Sequence, residues 1–120
     1  LAIIVYELRL KATEAVRVSP AKLVDLMNHH GARLLDVRAK ESFEKSHILG
    51  AQWQDFADMD TAIKALDKFK HKEIVLVCDQ GHQSKKIANQ LKLKGYDKIH
   101  YLEGGLEAWR ADNLPLQKKA

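Results

Sequence analysis

The sequence predicts a three-layer α/β fold, in which a mostly parallel central sheet of about five strands has helices on both faces. Short apolar segments alternate with helical patterns along most of the chain, which is typical of βαβ units. The segment 72–77 ends in consecutive apolar residues, as expected of a parallel strand that is covered on both faces. At 120 residues, the chain is long enough for one core and too short for two ordinary domains.

The first two predicted elements are a strand at 16–18 and a helix at 20–28. Ser19 has a side chain that is preferred at a helix N-cap. Pro20 suits the first helical position, because the N–H that proline lacks has no intrahelical partner there. Apolar residues at spacings of three and four share one face of this helix, and Gly31 suits its C-terminal end.

The next elements are shorter and are bounded by polar or turn-forming residues. We predict a buried strand at 33–37, one or two helical turns at 40–45, and a strand at 51–53 after the turn at Gly50. The segment 59–69 carries apolar residues at helical spacing and is predicted as a helix.

The second half of the chain predicts two further strand–helix pairs. The strand at 72–77 is followed by a helix at 84–94 that has apolar residues on one face. The strand at 99–102 is followed by a helix at 105–111, which ends before Pro115. No internal repeat or linker interrupts this pattern.

Composition excludes several classes of function. The single cysteine, Cys78, rules out an internal disulfide and any cysteine-rich zinc site. The net charge of +4 comes from lysines dispersed among acidic residues, so we expect no nucleic-acid partner. The histidines lack the spacing of metal ligands, and we predict no metal site. They are His29, His30, His47, His71, His82 and His100.

The amino-terminal segment 1–18 is predicted to be a leader, followed by a domain at 19–116 and a tail at 117–120. The apolar residues Leu1 to Tyr6 are too few to cross a bilayer, which needs roughly 20. They fit either the end of a longer membrane helix or an amphipathic extension packed on the domain. Basic residues follow at once, and such residues tend to stay on the cytoplasmic side of a membrane helix.

Cys78 is the strongest candidate for a functional residue. It lies between an apolar strand and a polar loop that leads into a helix. Backbone N–H groups of such a loop, with the positive end of the helix dipole, stabilise an anion such as a thiolate. A lone cysteine is more often a small buried hydrophobic residue, but ligand clefts form at the carboxyl ends of parallel strands, which favours function here. The predicted site is Cys78 with the loop residues Asp79, Gln80, Gly81, His82, Gln83 and Ser84.

Four blocks of residues carry a resemblance to a known family. They are Leu34–Arg38, Glu41–Ala51, Cys78–Ser84 and Glu103–Trp109. In their order and spacing these blocks closely resemble the rhodanese domain, and together they span nearly all of the predicted domain. Ser46 is a departure, since the family often has glycine at this position, and we expect it to change a turn only mildly.

The resemblance implies a rhodanese-like fold and sulfur transfer. The Cys78 thiolate would take the outer sulfur from thiosulfate or another persulfide donor, carry it as a persulfide, and pass it to a thiol, a protein or cyanide. No cofactor is implied beyond this covalent intermediate. The N–H groups of residues 79–84 would stabilise the anions, and Gly81 would supply the backbone angle that the loop needs. The family's Asp-x-Arg, here Asp36 and Arg38, often forms a structural ion pair near the cleft.

The side chains of the loop bear on which sulfur donor the protein uses. Family members that use thiosulfate often have arginine or lysine here, whereas Asp79 would oppose the binding of an anion if it faced inward. His82 and Gln83 can donate hydrogen bonds, and Lys85 and Lys86 add positive charge just inside the helix. We therefore expect thiosulfate to be a poor donor with a high Michaelis constant.

Two other classes of function compete with sulfur transfer. Phosphatases of this fold need arginine six positions after the cysteine, and this chain has Ser84 there in a shorter loop. A non-catalytic or redox-sensing module, tethered at a membrane, stays an alternative because it would use the same thiol. We expect the protein in the bacterial cytoplasm, or at the cytoplasmic face of the inner membrane if Leu1 to Tyr6 end a membrane helix, as in a membrane-anchored rhodanese.

Overall fold

The computed structural model describes residues 14–118. The strands are β1 (Val16–Val18), β2 (Arg33–Asp36), β3 (His47–Ile48), β4 (Gln52–Trp53), β5 (Ile74–Val77), β6 (Ile99–Leu102) and β7 (Leu116–Gln117). The helices are α1 (Pro20–His29), α2 (Lys40–Lys45), α3 (Met59–Leu66), α4 (His82–Leu93) and α5 (Gly105–Ala111), and a 3-10 turn at Asp67–Phe69 follows α3. The predicted alternation of strands and helices is confirmed.

The central sheet has five parallel strands in the order β1-β6-β5-β2-β4. This confirms the predicted mostly parallel sheet. The strand β5 lies in the middle, and each of its residues is buried. Because both of its edges and both of its faces are covered, an uninterrupted apolar run is the sequence that stabilises it.

Two hydrophobic cores cover the two faces of the sheet, so the molecule has three layers. Ile74 and Leu76 of β5 belong to one core, together with apolar residues of α3 and α4. Val75 and Val77 belong to the other, together with residues of α1 and α5. The alternation of neighbouring side chains between the two cores follows from the period of two in a strand.

A second, two-stranded sheet was not predicted. The strands β3 and β7 are antiparallel, with His47 opposite Gln117 and Ile48 opposite Leu116. Each has only two residues, which is too short for any periodic pattern to show in the sequence. This pairing fixes the carboxyl-terminal segment beside the turn that follows α2.

Three predicted boundaries are wrong in ways that have a physical reason. The helix predicted at 59–69 ends at Leu66, and its last turn tightens into the 3-10 conformation. The strand predicted at 72–77 begins at Ile74, after two polar residues. The helix predicted at 84–94 begins at His82, two residues earlier, because Gly81 adopts a left-handed conformation that turns the chain into the helix at once.

The predictions for the leader concern mainly residues 1–13, which lie outside the described residues. Within residues 14–118, no helix is long and apolar enough to span a membrane. The described end of the leader includes β1, which pairs with β6 in the central sheet. Just before it, the backbone N–H of Ala15 donates to Asn89 Oδ1 on α4 at 2.7 Å.

Candidate active site

Cys78 is the residue that follows the central strand β5, at the carboxyl edge of the sheet. The residue is 3% exposed. In open α/β sheets this edge is where ligand clefts form, because the loops after neighbouring parallel strands separate there. The thiol therefore lies at the floor of a cleft and is held by the most buried strand of the molecule.

The sulfur atom of Cys78 accepts hydrogen bonds from the loop that follows it. The backbone N–H groups of Gly81 and Ser84 donate to Sγ, at 3.1 and 3.3 Å. The thiol donates to Ser84 Oγ at 3.3 Å, and this hydroxyl donates to the carbonyl of Gly81, also at 3.3 Å. When the thiol loses its proton, the same hydroxyl can turn and donate to the sulfur. The loop is thus a cradle for a sulfur anion at the amino end of α4.

Two glycines make this cradle sterically feasible. Gly81 has φ of +94°, a left-handed value that residues with a Cβ atom rarely adopt. Gly105 has φ of +58°, and a Cβ atom on it would lie 2.7 Å from the carbonyl carbon of Asp79. Beyond Gly105, the N–H groups of Leu106 and Glu107 donate to the carbonyls of Cys78 and Asp79, at 2.9 and 3.1 Å. These two hydrogen bonds fix the backbone of the Cys78 loop against the start of α5.

Sequence reasoning missed the contribution of Gly104 and Gly105 to the site. Both lie in the block that resembles the family, and both have positive φ. The available signal was the glycine pair at the start of a helical pattern, since glycine there indicates either a left-handed backbone or a close backbone approach. Here it indicates both, because α5 touches the loop of Cys78.

We expect Gly105→Ala to destabilise the protein by about 2–4 kcal/mol, as a left-handed non-glycine residue and an overpacked contact both add to the cost. The measurement is urea unfolding. Gly31→Ala is the matched control, because Gly31 has φ of +62° and a Cβ atom there would meet nothing within 4 Å. The control should lose only about 1 kcal/mol, the cost of the backbone angle alone. Equal losses in the two variants would contradict a close contact between α5 and the loop.

The side chains around the cradle form an exposed rim. A shallow pocket of about 180 Å³ is lined by Cys78, Asp79, Gln80, His82 and Gln83. Apart from Cys78, these lining residues are exposed, whereas Gly81 and Ser84 are buried. The structure therefore brings together Cys78 and all six predicted loop residues. Cys78, Gly81 and Ser84 form the cradle, and the four exposed residues form the rim.

Lys85, an auxiliary candidate, does not line this pocket. Its backbone N–H donates to the carbonyl of Gly81 at 3.1 Å, as the first helical bond of α4. Its side chain instead lines a separate cavity together with residues such as Arg17 and Asn89. We expected Lys85 to add positive charge beside the thiol, but its side chain lines this other cavity instead.

Asp36 and Arg38 form the buried ion pair that the sequence led us to expect. Asp36 is 0% exposed and accepts hydrogen bonds from Arg38 Nε at 3.0 and 3.1 Å and from Nη2 at 2.8 Å. Arg38 Nη2 also donates to the carbonyl of Ser46 at 2.6 Å. The other end of the guanidinium reaches the loop of Cys78, where Nη1 lies 3.5 Å from Asp79 Oδ1. Arg38 thus connects β2, the turn after α2 and the rim of the site.

The contact with Asp79 brings Arg38 to the rim of the pocket. The position of Arg38 in the sequence does not show this proximity. The Asp79 side chain is 70% exposed and lines the pocket, and Arg38 compensates part of its charge. The rim of the pocket combines this acid with the neutral or weakly basic side chains of Gln80, His82 and Gln83. Within residues 14–118, no three His, Cys, Asp or Glu side chains converge as a metal site would require.

Comparison with known proteins identifies the family. Residues 19–112 match the family described as Rhodanese-like domain. The chain is 32% identical over 98 residues to the thiosulfate sulfurtransferase GlpE of Stutzerimonas stutzeri, covering 82% of this chain and 87% of the relative. It is also 32% identical over 96 residues to the uncharacterized protein YibN of Escherichia coli K12, covering 76% of this chain and 64% of that protein.

Among solved structures, the thiosulfate sulfurtransferase of Pseudomonas aeruginosa aligns with a TM-score of 0.74 at 27% identity. The alignment covers 88% of this chain and 20% of that much longer one. A rhodanese-related protein of Thermoplasma volcanium aligns with a TM-score of 0.74 at 20% identity and has the same fold. The match of most of the chain to the family, and the identity with GlpE over most of its length, show that this chain belongs to the rhodanese-like domain family.

Proposed function

We propose that this protein is a sulfurtransferase in which Cys78 carries the transferred sulfur as a persulfide. The observation that carries the proposal is the hydrogen-bonding cradle around Sγ, in which two N–H groups and a hydroxyl surround the sulfur. Donors aimed at Sγ stabilise the thiolate that attacks the donor. They also stabilise the negative charge that returns to Sγ when the outer sulfur leaves, because they need no reorganisation during that step. The relatives named thiosulfate sulfurtransferase support the same class of reaction.

In the first step, the Cys78 thiolate attacks the outer sulfur of a donor. With thiosulfate, a new S–S bond forms at Sγ, the bond between the two sulfurs of thiosulfate breaks, and sulfite leaves with the electron pair. The persulfide anion and sulfite together carry the three negative charges of the thiolate and thiosulfate. The N–H groups of Gly81 and Ser84 are placed to stabilise the charge near Sγ. In the second step, an acceptor nucleophile removes the outer sulfur and restores the Cys78 thiolate.

We propose that thiosulfate is a weak donor for this protein. Within residues 14–118, the pocket is lined by Asp79 and by no lysine or arginine, and Arg38, the partner of Asp79, is held by Asp36 as well. A donor that brings less negative charge, such as a persulfide of a small molecule or of a protein, meets less repulsion here. Thiosulfate:cyanide activity should therefore be present but have a high KM.

The experiment that tests the proposal is the mass of the intact protein after incubation with thiosulfate or an organic persulfide. We expect a gain of about 32 Da, one sulfur atom, which is lost on treatment with a reductant. Protein that has first been alkylated at Cys78 is the matched control and should gain nothing. If neither donor adds sulfur, while peroxide adds about 16 Da as a sulfenic acid, the protein is instead a redox-sensing module.

We expect Asp79→Asn to lower the KM for thiosulfate by roughly threefold to tenfold, because a carboxylate a few Å from a bound dianion is removed and Arg38 gains freedom to face it. The change should shrink at high salt, since exposed charges are screened. Steady-state thiocyanate formation measures the effect. Asp112→Asn, at the far end of α5, changes the net charge equally and should leave the KM unaltered. A KM that Asp79→Asn leaves unchanged would remove Asp79 as the reason for weak thiosulfate use.

A further inference from the structure

A groove runs beside the pocket of Cys78, along one side of α5. It is open to solvent and has a volume of about 450 Å³, against about 180 Å³ for the pocket itself. Its lining residues are Gln80, His82, Gly104, Glu107, Ala108 and Ala111. Because Gln80 and His82 also line the pocket of Cys78, the two depressions adjoin and share a wall. A molecule in this groove, which we call the α5 groove, therefore lies next to the reacting sulfur.

The floor of the α5 groove is made of small residues at fixed positions. Gly104, Ala108 and Ala111 follow one another on one face of α5 at helical spacing. A Cβ atom on Gly104 would lie 2.7 Å from the Cβ of Ala108, so a larger residue there would disturb the floor. Since the N–H of Leu106 donates to the carbonyl of Cys78, α5 is hydrogen-bonded directly to the residue that carries the sulfur.

The charge of the α5 groove is acidic. Glu107 is exposed, and within residues 14–118 it forms no ion pair within 4 Å. Its backbone N–H donates to the carbonyl of Asp79, so the two carboxylates belong to adjacent parts of the surface. Among the residues that the structure describes, no lysine or arginine lines either the groove or the adjoining pocket. A ligand with positive charge near its reacting sulfur is therefore favoured over an anionic one.

We propose that the α5 groove binds the sulfur acceptor, and that this acceptor is a cysteine-bearing segment of a protein with lysine or arginine a few residues from the cysteine. The proposal rests on the sulfur transfer proposed above and names its second substrate. The α5 groove is open to solvent and has a volume of about 450 Å³, which leaves room for a peptide segment. Small anionic thiols such as glutathione bring carboxylates towards Glu107, which disfavours them.

The transfer step is balanced without an oxidant or a reductant. The acceptor thiolate attacks the outer sulfur of the Cys78 persulfide, and a new S–S bond forms on the acceptor. The bond between Sγ and the outer sulfur breaks, and Cys78 leaves as a thiolate. The persulfide anion formed in the loading step first takes a proton from solvent, and this proton stays on the transferred sulfur. The N–H groups of the cradle stabilise the negative charge that returns to Sγ.

The test uses the persulfide form of the full chain and two blocked hexapeptides with a single cysteine. The peptides differ in one residue, lysine or glutamate, three positions from the cysteine, and sulfur transfer is followed by peptide mass. We expect kcat/KM for the lysine peptide to be about threefold to tenfold higher, as for unit charges several Å apart near a protein surface. Equal rates, or a faster glutamate peptide, would overturn the proposal.

Variants locate the origin of the preference. Glu107→Gln should bring the ratio of the two peptide rates close to one. Glu103→Gln is the matched control, because Glu103 is exposed, lies outside the groove and pairs with Arg17, and it should keep the wild-type ratio. Ala111→Phe should lower the rate with the lysine peptide relative to the rate with 2-mercaptoethanol. A ratio that is insensitive to Glu107→Gln, or peptide rates that follow 2-mercaptoethanol in Ala111→Phe, would exclude the α5 groove.

The outcomes separate this inference from the sulfur transfer on which it rests. If Cys78 takes up no sulfur from any donor, the proposed function itself fails. If Cys78 is loaded but the peptides are not distinguished by charge, only the acceptor proposal fails. Ratios within one variant cancel any difference in loading, so each result refers to the acceptor step alone.

Discussion

Replacing Cys78 with serine is expected to abolish sulfur transfer, with kcat/KM falling by roughly a thousandfold or more, as when the nucleophile of a covalent mechanism is removed. The serine hydroxyl is close in size and can keep the hydrogen bonds to Gly81 and Ser84. It is a far weaker nucleophile than a thiolate, and it cannot form a persulfide. Sulfite release from thiosulfate and thiocyanate formation with cyanide are the measurements.

Two controls make this result specific. The thermal unfolding midpoint of Cys78→Ser should stay close to that of the wild type, because the substitution changes one atom at a buried site. Ser84→Ala retains the nucleophile and removes one partner of its sulfur, so this variant should remain measurably active. Sulfur transfer by Cys78→Ser at a rate comparable to that of Ser84→Ala would show that the reaction uses another group.

The largest loss of stability is expected from Asp36→Ala, at about 3–5 kcal/mol, as for other buried ion pairs from which one partner is removed. The variant leaves the Arg38 guanidinium, whose side chain is 6% exposed, without the carboxylate that satisfies three of its contacts. The contacts of Arg38 with the Ser46 carbonyl and Asp79 remain, but a buried charge that loses its main partner has a high free energy because water does not replace that partner. The midpoint of urea unfolding, at unchanged slope, measures the effect.

The matched comparison is an ion pair at the surface. Arg17 and Glu103 lie 3.6 Å apart with side chains that are 70% and 59% exposed. Glu103→Ala should change the free energy of unfolding by no more than about 1 kcal/mol, since exposed pairs gain little over their hydrated components. If both substitutions cost the same, the burial of Asp36 and Arg38 is not what stabilises the fold.

Sequence periodicity was sufficient for the architecture because the buried faces are long enough to repeat. The run that forms β5 predicted a parallel strand covered on both faces, and β5 has one hydrophobic core on each face. The strands β3 and β7 were not predictable, since two residues define no period and their pairing joins distant parts of the chain. The start of α4 at His82 was not predicted either, because His82 and Gln83 are polar and are typical of a loop.

The residues that form the candidate site could be predicted from the sequence, but the contacts that support them could not. Cys78 and its loop are contiguous, so their proximity follows from the sequence. The contact of Arg38 with Asp79 and the approach of Gly105 to the loop depend on how β2 and α5 pack. Such contacts between elements have no local signature. The glycine pair at 104–105 was visible, yet nothing in the sequence indicates which backbone it approaches.

The central position of β5 has a consequence for how the protein fails on heating. The segments of a protein that open first are those with few buried contacts, whereas strands in the middle of a sheet open only when the whole molecule does. Cys78 follows such a strand, and its loop is held by the start of α5. We therefore expect thermal inactivation of this protein to be a global event, in which the loop around Cys78 keeps its shape up to the temperature at which the fold itself is lost.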